Sequence, residues 1–165
     1  MPTARRSRTI AAPVEELWEV VSDPHHLPRW WPRVNRVEDV EGDAFTEVMK
    51  TAKGKTVRAD FQLVQADGGP RALRWSQRVE GTPFARLLKA AETEVSLKPA
   101  SAVSPSQAGP PSGRADGSSE AATEVTIELK QTLTGFFPRF GGYMVRRAAA
   151  ATIEEALDGL ERIGG

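Results

Sequence analysis

Between Thr9 and Pro32 the chain reads TIAAPVEELWEVVSDPHHLPRWWP, and no other stretch restricts its fold as tightly. An extended segment ends at Ala12. Pro13 suits the first helical position, Glu15 and Glu16 favour the positive end of a helix dipole, and Val14, Leu17, Trp18 and Val21 fall at i, i+3, i+4 and i+7. That spacing predicts one apolar stripe over two helical turns. Asp23 can cap and Pro24 can open a second, shorter helix, which Pro28 and Pro32 are expected to stop within a few residues. The chain therefore begins as strand, helix, kink and helix.

The run from Ile10-Ala11-Ala12-Pro13 through Val14-Glu15-Glu16-Leu17-Trp18 to Ser22-Asp23-Pro24 and Trp30-Trp31-Pro32 resembles the opening of the SRPBCC superfamily. This is the START and birch-pollen-allergen-like helix-grip fold, and the branch most resembled is polyketide cyclase/dehydrase or lipid transport. The resemblance implies an α+β domain: a strand, two short helices, six further antiparallel strands of a curved seven-stranded sheet, and a long C-terminal helix. It also implies a ligand cavity between that helix and the sheet.

A chain of 165 residues suits a single domain, expected to span 1–165. Its 22 basic and 22 acidic residues cancel, and the cluster Arg5, Arg6, Arg8 is too small to gather phosphates, so nucleic acid is not expected as a partner. Cysteine is absent, which removes disulfides, thiolate catalysis and cysteine-held metals together. Glu15, Glu16 and Glu19 interrupt the apolar run that an export signal after Arg5-Arg6 would need, and no apolar run approaches the ~20 residues of a membrane span. These features predict a cytoplasmic protein with no integral membrane association. They leave its oligomeric state open.

After Pro32 the period changes. Thr56 to Val64 places Val57, Ala59, Phe61 and Leu63 on one side and Arg58, Asp60 and Gln62 on the other, the alternation of a half-buried strand. Lys53-Gly54 before it and Asp67-Gly68-Gly69-Pro70 after it are turn chemistry. Leu73, Trp75 and Val79 continue the pattern in the next strand, and Val125, Ile127, Leu129 and Leu133 in a later one, while Val34–Val40 and Phe45–Ala52 fit two earlier strands. Phe84 to Leu97 could be helical around Leu87–Ala91; it is assigned as strand on the resemblance alone. Pro99 to Ala122 is dominated by Pro, Ala, Ser and Gly, too poor in large apolar side chains to offset its ordering entropy, and is expected to be a disordered insertion in a hairpin. From Gly141 to Ile163 helical spacing returns, with Val145, Ala149, Thr152, Ala156, Leu160 and Ile163 on one face. The first half of that face, counting Gly142, is built of small residues. It either leaves space against a concave sheet or packs closely on it.

Among residues that could carry chemistry, His25 and His26 are adjacent, so their imidazoles point about 100° apart on a helix and suit a surface turn better than a metal. No phosphate loop, dinucleotide fingerprint, glycine-flanked serine or HExxH is present, and neither a metal nor another cofactor is expected. Polar residues within apolar rows are more informative. Glu47 lies between Phe45 and Met49, Gln77 between Trp75 and Val79, and Gln131 between Leu129 and Leu133, each where alternation predicts an inward side chain. Either the strands bulge and these residues meet water, or they are the polar contacts of a greasy pocket lined by Trp31, Met49, Phe61, Trp75 and Phe84, with Gly142, Val145 and Ala149 on the helix side. Phe136, Phe137 and Phe140 beside Gly141-Gly142 suit either a lip at its mouth or ordinary packing.

The resemblance implies, first, binding of a small hydrophobic or aromatic ligand such as a polyketide, lipid or isoprenoid. An enzyme of the cyclase/dehydrase type is the alternative, moving protons with Glu47, a histidine or Tyr143, although no catalytic motif is identified. A module that docks another protein without a ligand is the third. An ionisable residue deep in the pocket would separate the first two, and a filled core would favour the third.

Overall fold

The computed structural model describes residues 3–50, 53–64, 71–86, 88–100, 122–134 and 141–164. The body of the proposed insertion, 101–121, and the aromatic segment Phe136–Phe140 lie outside the described residues. Strand β1 (Thr3–Ile10) runs into α1 (Val14–Val21), a 3-10 turn (Pro24–His26) and α2 (Leu27–Trp30). Five strands follow: β2 (Val34–Glu41), β3 (Ala44–Lys50), β4 (Thr56–Val64), β5 (Ala72–Gln77) and, after a 3-10 turn at Pro83–Arg86, β6 (Leu88–Pro99). Then come β7 (Thr123–Leu133) and α3 (Gly141–Gly164).

The first helices form for the reasons visible in their residues. Pro13 is extended (φ −64°, ψ 150°) and stands just before α1 and not in its first turn; α1 buries Leu17, Val20 and Val21, while Val14 and Trp18 of the expected stripe are half-buried. The Asp23 carboxylate accepts the His25 backbone N–H at 3.0 Å, which caps the 3-10 turn and holds that carboxyl below its usual pKa. Pro28 does not stop the second helix. It sits in the first turn of α2, where a missing N–H costs nothing, and the helix ends at Trp30 before extended Trp31.

Among the described residues seven strands make one sheet in the order β1-β7-β6-β5-β4-β3-β2, every neighbour antiparallel. Register shifts interrupt β2 against β3 between Val34 and Arg36 and between Glu38 and Glu41, where Asp39 has φ 51°, and β6 against β7 between Leu88 and Ala90. Such irregularities bend a strand and increase its twist. Phe84 is not in a strand. Gly81 turns the chain with φ 77°, Phe84 falls in the 3-10 turn, and β6 begins only at Leu88.

Helix α3 crosses the inner face of the sheet. It buries Ala149, Ile153, Ala156, Leu157 and Leu160 against Ile10, Val95, Val125 and Ile127. Ile153 and Leu157 lie beside the single row expected from the sequence. The buried arc is wider because α3 meets β1 and β7 on one side and α1 and α2 on the other. Each fully buried Leu or Ile contributes roughly 1.5–3 kcal/mol, so this half of α3 anchors the helix. Gly159 permits the approach of α2: a Cβ there would meet the Trp30 carbonyl oxygen and lie 2.7 Å from the Trp30 Cα. Outside the core, Arg8 of β1 reaches Asp158 at 2.5 Å, Glu154 at 2.7 Å and Glu161 at 3.0 Å. These pairs are largely exposed, so they orient the helix on β1 more than they stabilise it.

Candidate functional site

The N-terminal half of α3 has no large apolar side chain to lay on the sheet, and a cavity of about 340 Å³ opens there. From α3 it is lined by Val145, Ala148, Ala149 and Thr152; opposite them β5 and β7 supply Trp75, Gln77, Leu129 and Gln131. Glu47 and Met49 of β3, Phe61 of β4, and Trp31 just after α2 close it. Its size is within the range of small-molecule sites. Trp31 and Trp75 meet edge-to-face at 5.7 Å and wall the cavity, and both contact the ring of Trp30, at 5.4 and 6.4 Å, which backs them. On the β3–β4 side Phe61 stacks on Phe45 at 5.5 Å.

Nine of the residues singled out from the sequence are thereby brought together: Trp31, Glu47, Met49, Phe61, Trp75, Gln77, Gln131, Val145 and Ala149. Phe84 and Gly142 do not line the cavity. Phe84 has left the sheet with its 3-10 turn, and Gly142 lies one turn before Val145, with nothing within 4 Å of where a Cβ would be. Thr93, Ala148, Thr152 and Leu129 line the cavity and were not singled out as site residues. Thr152 and Leu129 could have been read from their own periodic rows. Thr93 could not, because its place follows from pairing with Trp75 and Leu129 across strands distant in sequence.

Glu47 dominates the chemistry of the cavity. It is 2 % exposed and its Oε1 has no hydrogen-bond partner. Register explains why: Val37 faces it from β2 and Ala59 from β4, while Phe45 and Met49 flank it on its own face of β3. Burial among apolar groups, with no cation to offset it, pushes the Glu47 carboxyl up to about 8. The carboxyl therefore holds its proton at neutral pH. Gln77, whose strand partner is Phe61, likewise keeps its Nε2 buried without a partner. Glu92 borders the cavity as well, but it alternates with inward Thr93 and shares the outward parity of Glu94 and Ser96.

The other candidates for proton transfer lie elsewhere. His25 is exposed and bonded through Nδ1 to Asp23 at 2.9 Å, His26 contacts Arg29, and Tyr143 is 63 % exposed. Among the described residues no group of three or more His, Asp or Glu is placed to hold a metal ion, and no helix is long and apolar enough to cross a membrane. A second, more open cleft of about 560 Å³ shares Phe61 and Gln77 with the cavity and continues past them toward Asp39, Asp60 and Arg78.

The profile of the family described as polyketide cyclase / dehydrase and lipid transport matches residues 1–163. No curated protein matches the sequence. Solved structures share the fold at low identity. A START superfamily protein from Mycobacterium smegmatis superposes with a TM-score of 0.71 at 14% identity, covering 98% of this chain and 96% of that one. The di-domain ARO/CYC BexL from the BE-7585A biosynthetic pathway gives 0.70 at 21% identity, covering 98% of this chain and 46% of BexL. The di-domain ARO/CYC StfQ from the steffimycin biosynthetic pathway gives 0.69 at 13%, covering 99% and 50%. The chain thus spans about half the length of each di-domain protein. With the strand order, the gripped helix and the full-length profile match in agreement, this chain belongs to the polyketide cyclase/dehydrase and lipid transport family of the SRPBCC, START-like superfamily.

Proposed function

We propose that the cavity binds a small, mainly apolar or aromatic molecule that carries at least one hydrogen-bonding oxygen. The observation that carries this reading is the pair of orphaned polar groups, Glu47 Oε1 and Gln77 Nε2, buried in a cavity otherwise walled by aromatic and aliphatic side chains. A buried polar atom without a partner costs about 1–3 kcal/mol, which a bound molecule that supplies the missing bond recovers. The space itself supports a ligand over a purely protein-docking role, since a docking module has no need to leave its core open. Polyketides, lipids and isoprenoids all fit this description, and the family to which the chain belongs and its ARO/CYC neighbours favour the first.

One observation also favours catalysis. Glu47 is the ionisable side chain that points into the cavity among the described residues, and a carboxyl that titrates near 8 can give or take a proton at neutral pH. In this second reading Glu47 would protonate or deprotonate a carbon next to a carbonyl of the bound molecule, the step a cyclisation or dehydration requires. Tyr143 and His25 are exposed, His26 is half-buried against Arg29, and none of the three lines the cavity.

Trp31 and Trp75 report on the site directly. Titration with a neutral bicyclic aromatic, 2-acetylnaphthalene, is expected to quench tryptophan fluorescence with a dissociation constant below millimolar. Ala149→Phe, which fills the cavity from α3, should abolish the effect while the far-ultraviolet circular dichroism stays native. Absence of binding at millimolar probe, or binding indifferent to Ala149→Phe, would overturn the cavity as the binding site. Turnover of an enolisable aromatic ketone that is lost in Glu47→Gln would establish the catalytic reading.

A further inference from the structure

Resting on the reading of the cavity as a ligand site, we propose that it selects by charge: it admits neutral molecules bearing a carbonyl oxygen, such as aryl ketones, aldehydes or quinones, and rejects the carboxylates of the same shape. The argument begins with what the walls lack. No lysine, arginine or histidine is among the described residues lining the cavity. Taken element by element, the groups around Glu47 are uncharged on every inward face. β2 presents Val37, while Arg36 and Glu38 pair with each other at 2.6 Å on the opposite parity. β4 presents Ala59 and Phe61, with Arg58 directed to Glu38 and Asp60 accepting from Thr46 on the outer face. β5, β7 and α3 offer amides, a hydroxyl, aromatics and aliphatics, and Glu92 of β6 has outward parity.

A carboxylate placed there would surrender its hydration without a cation in return: the Gln77 amide and the protonated Glu47 carboxyl can donate to it, but neither brings the positive charge that would offset its burial. Burying an unpaired anion costs far more than a neutral ligand's contacts return. A carbonyl oxygen faces the opposite situation. The Gln77 Nε2 is a donor without an acceptor, and the protonated Glu47 carboxyl is a second donor. The two residues sit on β3 and β5 with β4 between them, where Ala59 stands opposite Glu47 and Phe61, which lines the cavity, stands opposite Gln77. A molecule lying against Phe61 can offer an acceptor to each donor, and the indoles of Trp31 and Trp75 then hold its ring. Above the pH at which Glu47 gives up its proton, one donor becomes an acceptor and the carbonyl loses a partner.

The test compares isosteric probes on the native protein. Dissociation constants for 2-acetylnaphthalene and 2-naphthoate are measured by tryptophan quenching and calorimetry at pH 6.5 and 9.5. The ketone should bind at least tenfold tighter than the carboxylate at pH 6.5, and its affinity should fall severalfold at pH 9.5. Glu47→Gln, whose amide does not titrate, should make ketone affinity the same at the two pH values. Carboxylate binding equal to or tighter than that of the ketone would overturn charge selection while leaving the cavity as a ligand site, whereas failure of both probes would remove the ligand site itself. A pH step that persists in Glu47→Gln would assign the selection to another group. The native-protein comparison decides the main claim even if the variant fails to fold.

Discussion

Glu47 shows what a single residue costs a fold. Its carboxyl ionises near 4.5 in an unfolded chain and near 8 in the folded one, so the folded state binds the proton more tightly between those values. By linkage, stability is greatest at and below about pH 4.5 as far as this group is concerned, and it declines as pH rises toward 8, at roughly 1.4 kcal/mol per pH unit. Relative to Glu47→Gln, urea denaturation of the native protein should show that decline between about pH 5 and 8 and little further change above it. Parallel stability profiles for the two proteins would mean that Glu47 is hydrated in solution. The candidacy of Glu47, Gln77 and Gln131 was legible from alternation alone, because period two assigns a side chain to a face. The isolation of Glu47 and Gln77 was not legible: it depends on Val37, Ala59 and Phe61, neighbours that only strand register brings beside them.

At the scale of elements, α3 combines two demands. Its C-terminal half is a packed core helix and its N-terminal half is a roof. Gly159 marks the packed half, since replacing an interior helical glycine by alanine normally gains up to about 1 kcal/mol of propensity. Here the added methyl would strike the Trp30 backbone, which cannot rotate aside. Gly159→Ala should instead lower the melting temperature by roughly 5 °C or more, the scale expected for overpacking that costs ~2 kcal/mol. Gly142→Ala, with open space around it, should be neutral or slightly stabilising, and a similar loss at both positions would contradict the close approach of α2. The sequence pattern located α3 and its small-residue half correctly. It missed Ile153 and Leu157 because a one-row stripe presumes a single packing partner, and α3 has several. The reading of Phe84 as a strand residue failed for a related reason: nothing local distinguishes Gly81, which turns the chain out of the sheet, from a glycine within a strand.

For the whole molecule, the meander is built so that the segment between β6 and β7 can vary. Pro99 pairs with Thr123, and the Ala100 N–H donates to the Ala122 carbonyl at 2.9 Å, so the ends of that segment already stand as the ends of a hairpin. Replacing 101–121 by a short Gly-containing turn is therefore expected to leave the melting temperature within a few degrees and probe binding unchanged; loss of cooperative unfolding would show that the segment contributes to the core. The strand order carries a further consequence, for how the chain is assembled in time. β2 through β6 join neighbours that follow one another in sequence, so each can close onto the last as a hairpin. β1 pairs with β7, where Ala4 meets Leu129 and Ile10 meets Thr123, and no nearer strand offers it an edge. During synthesis β1 must wait, unpaired, until β7 has emerged from the ribosome, and α3 follows later still. Closing so long a loop is slow, and an idle strand is an invitation to misassembly. The arginines at positions 5, 6 and 8 give that waiting strand a charge that discourages it from pairing with another copy. The roof of the cavity then arrives after every strand of the sheet, so a nascent chain has no enclosed site to fill before its framework is complete.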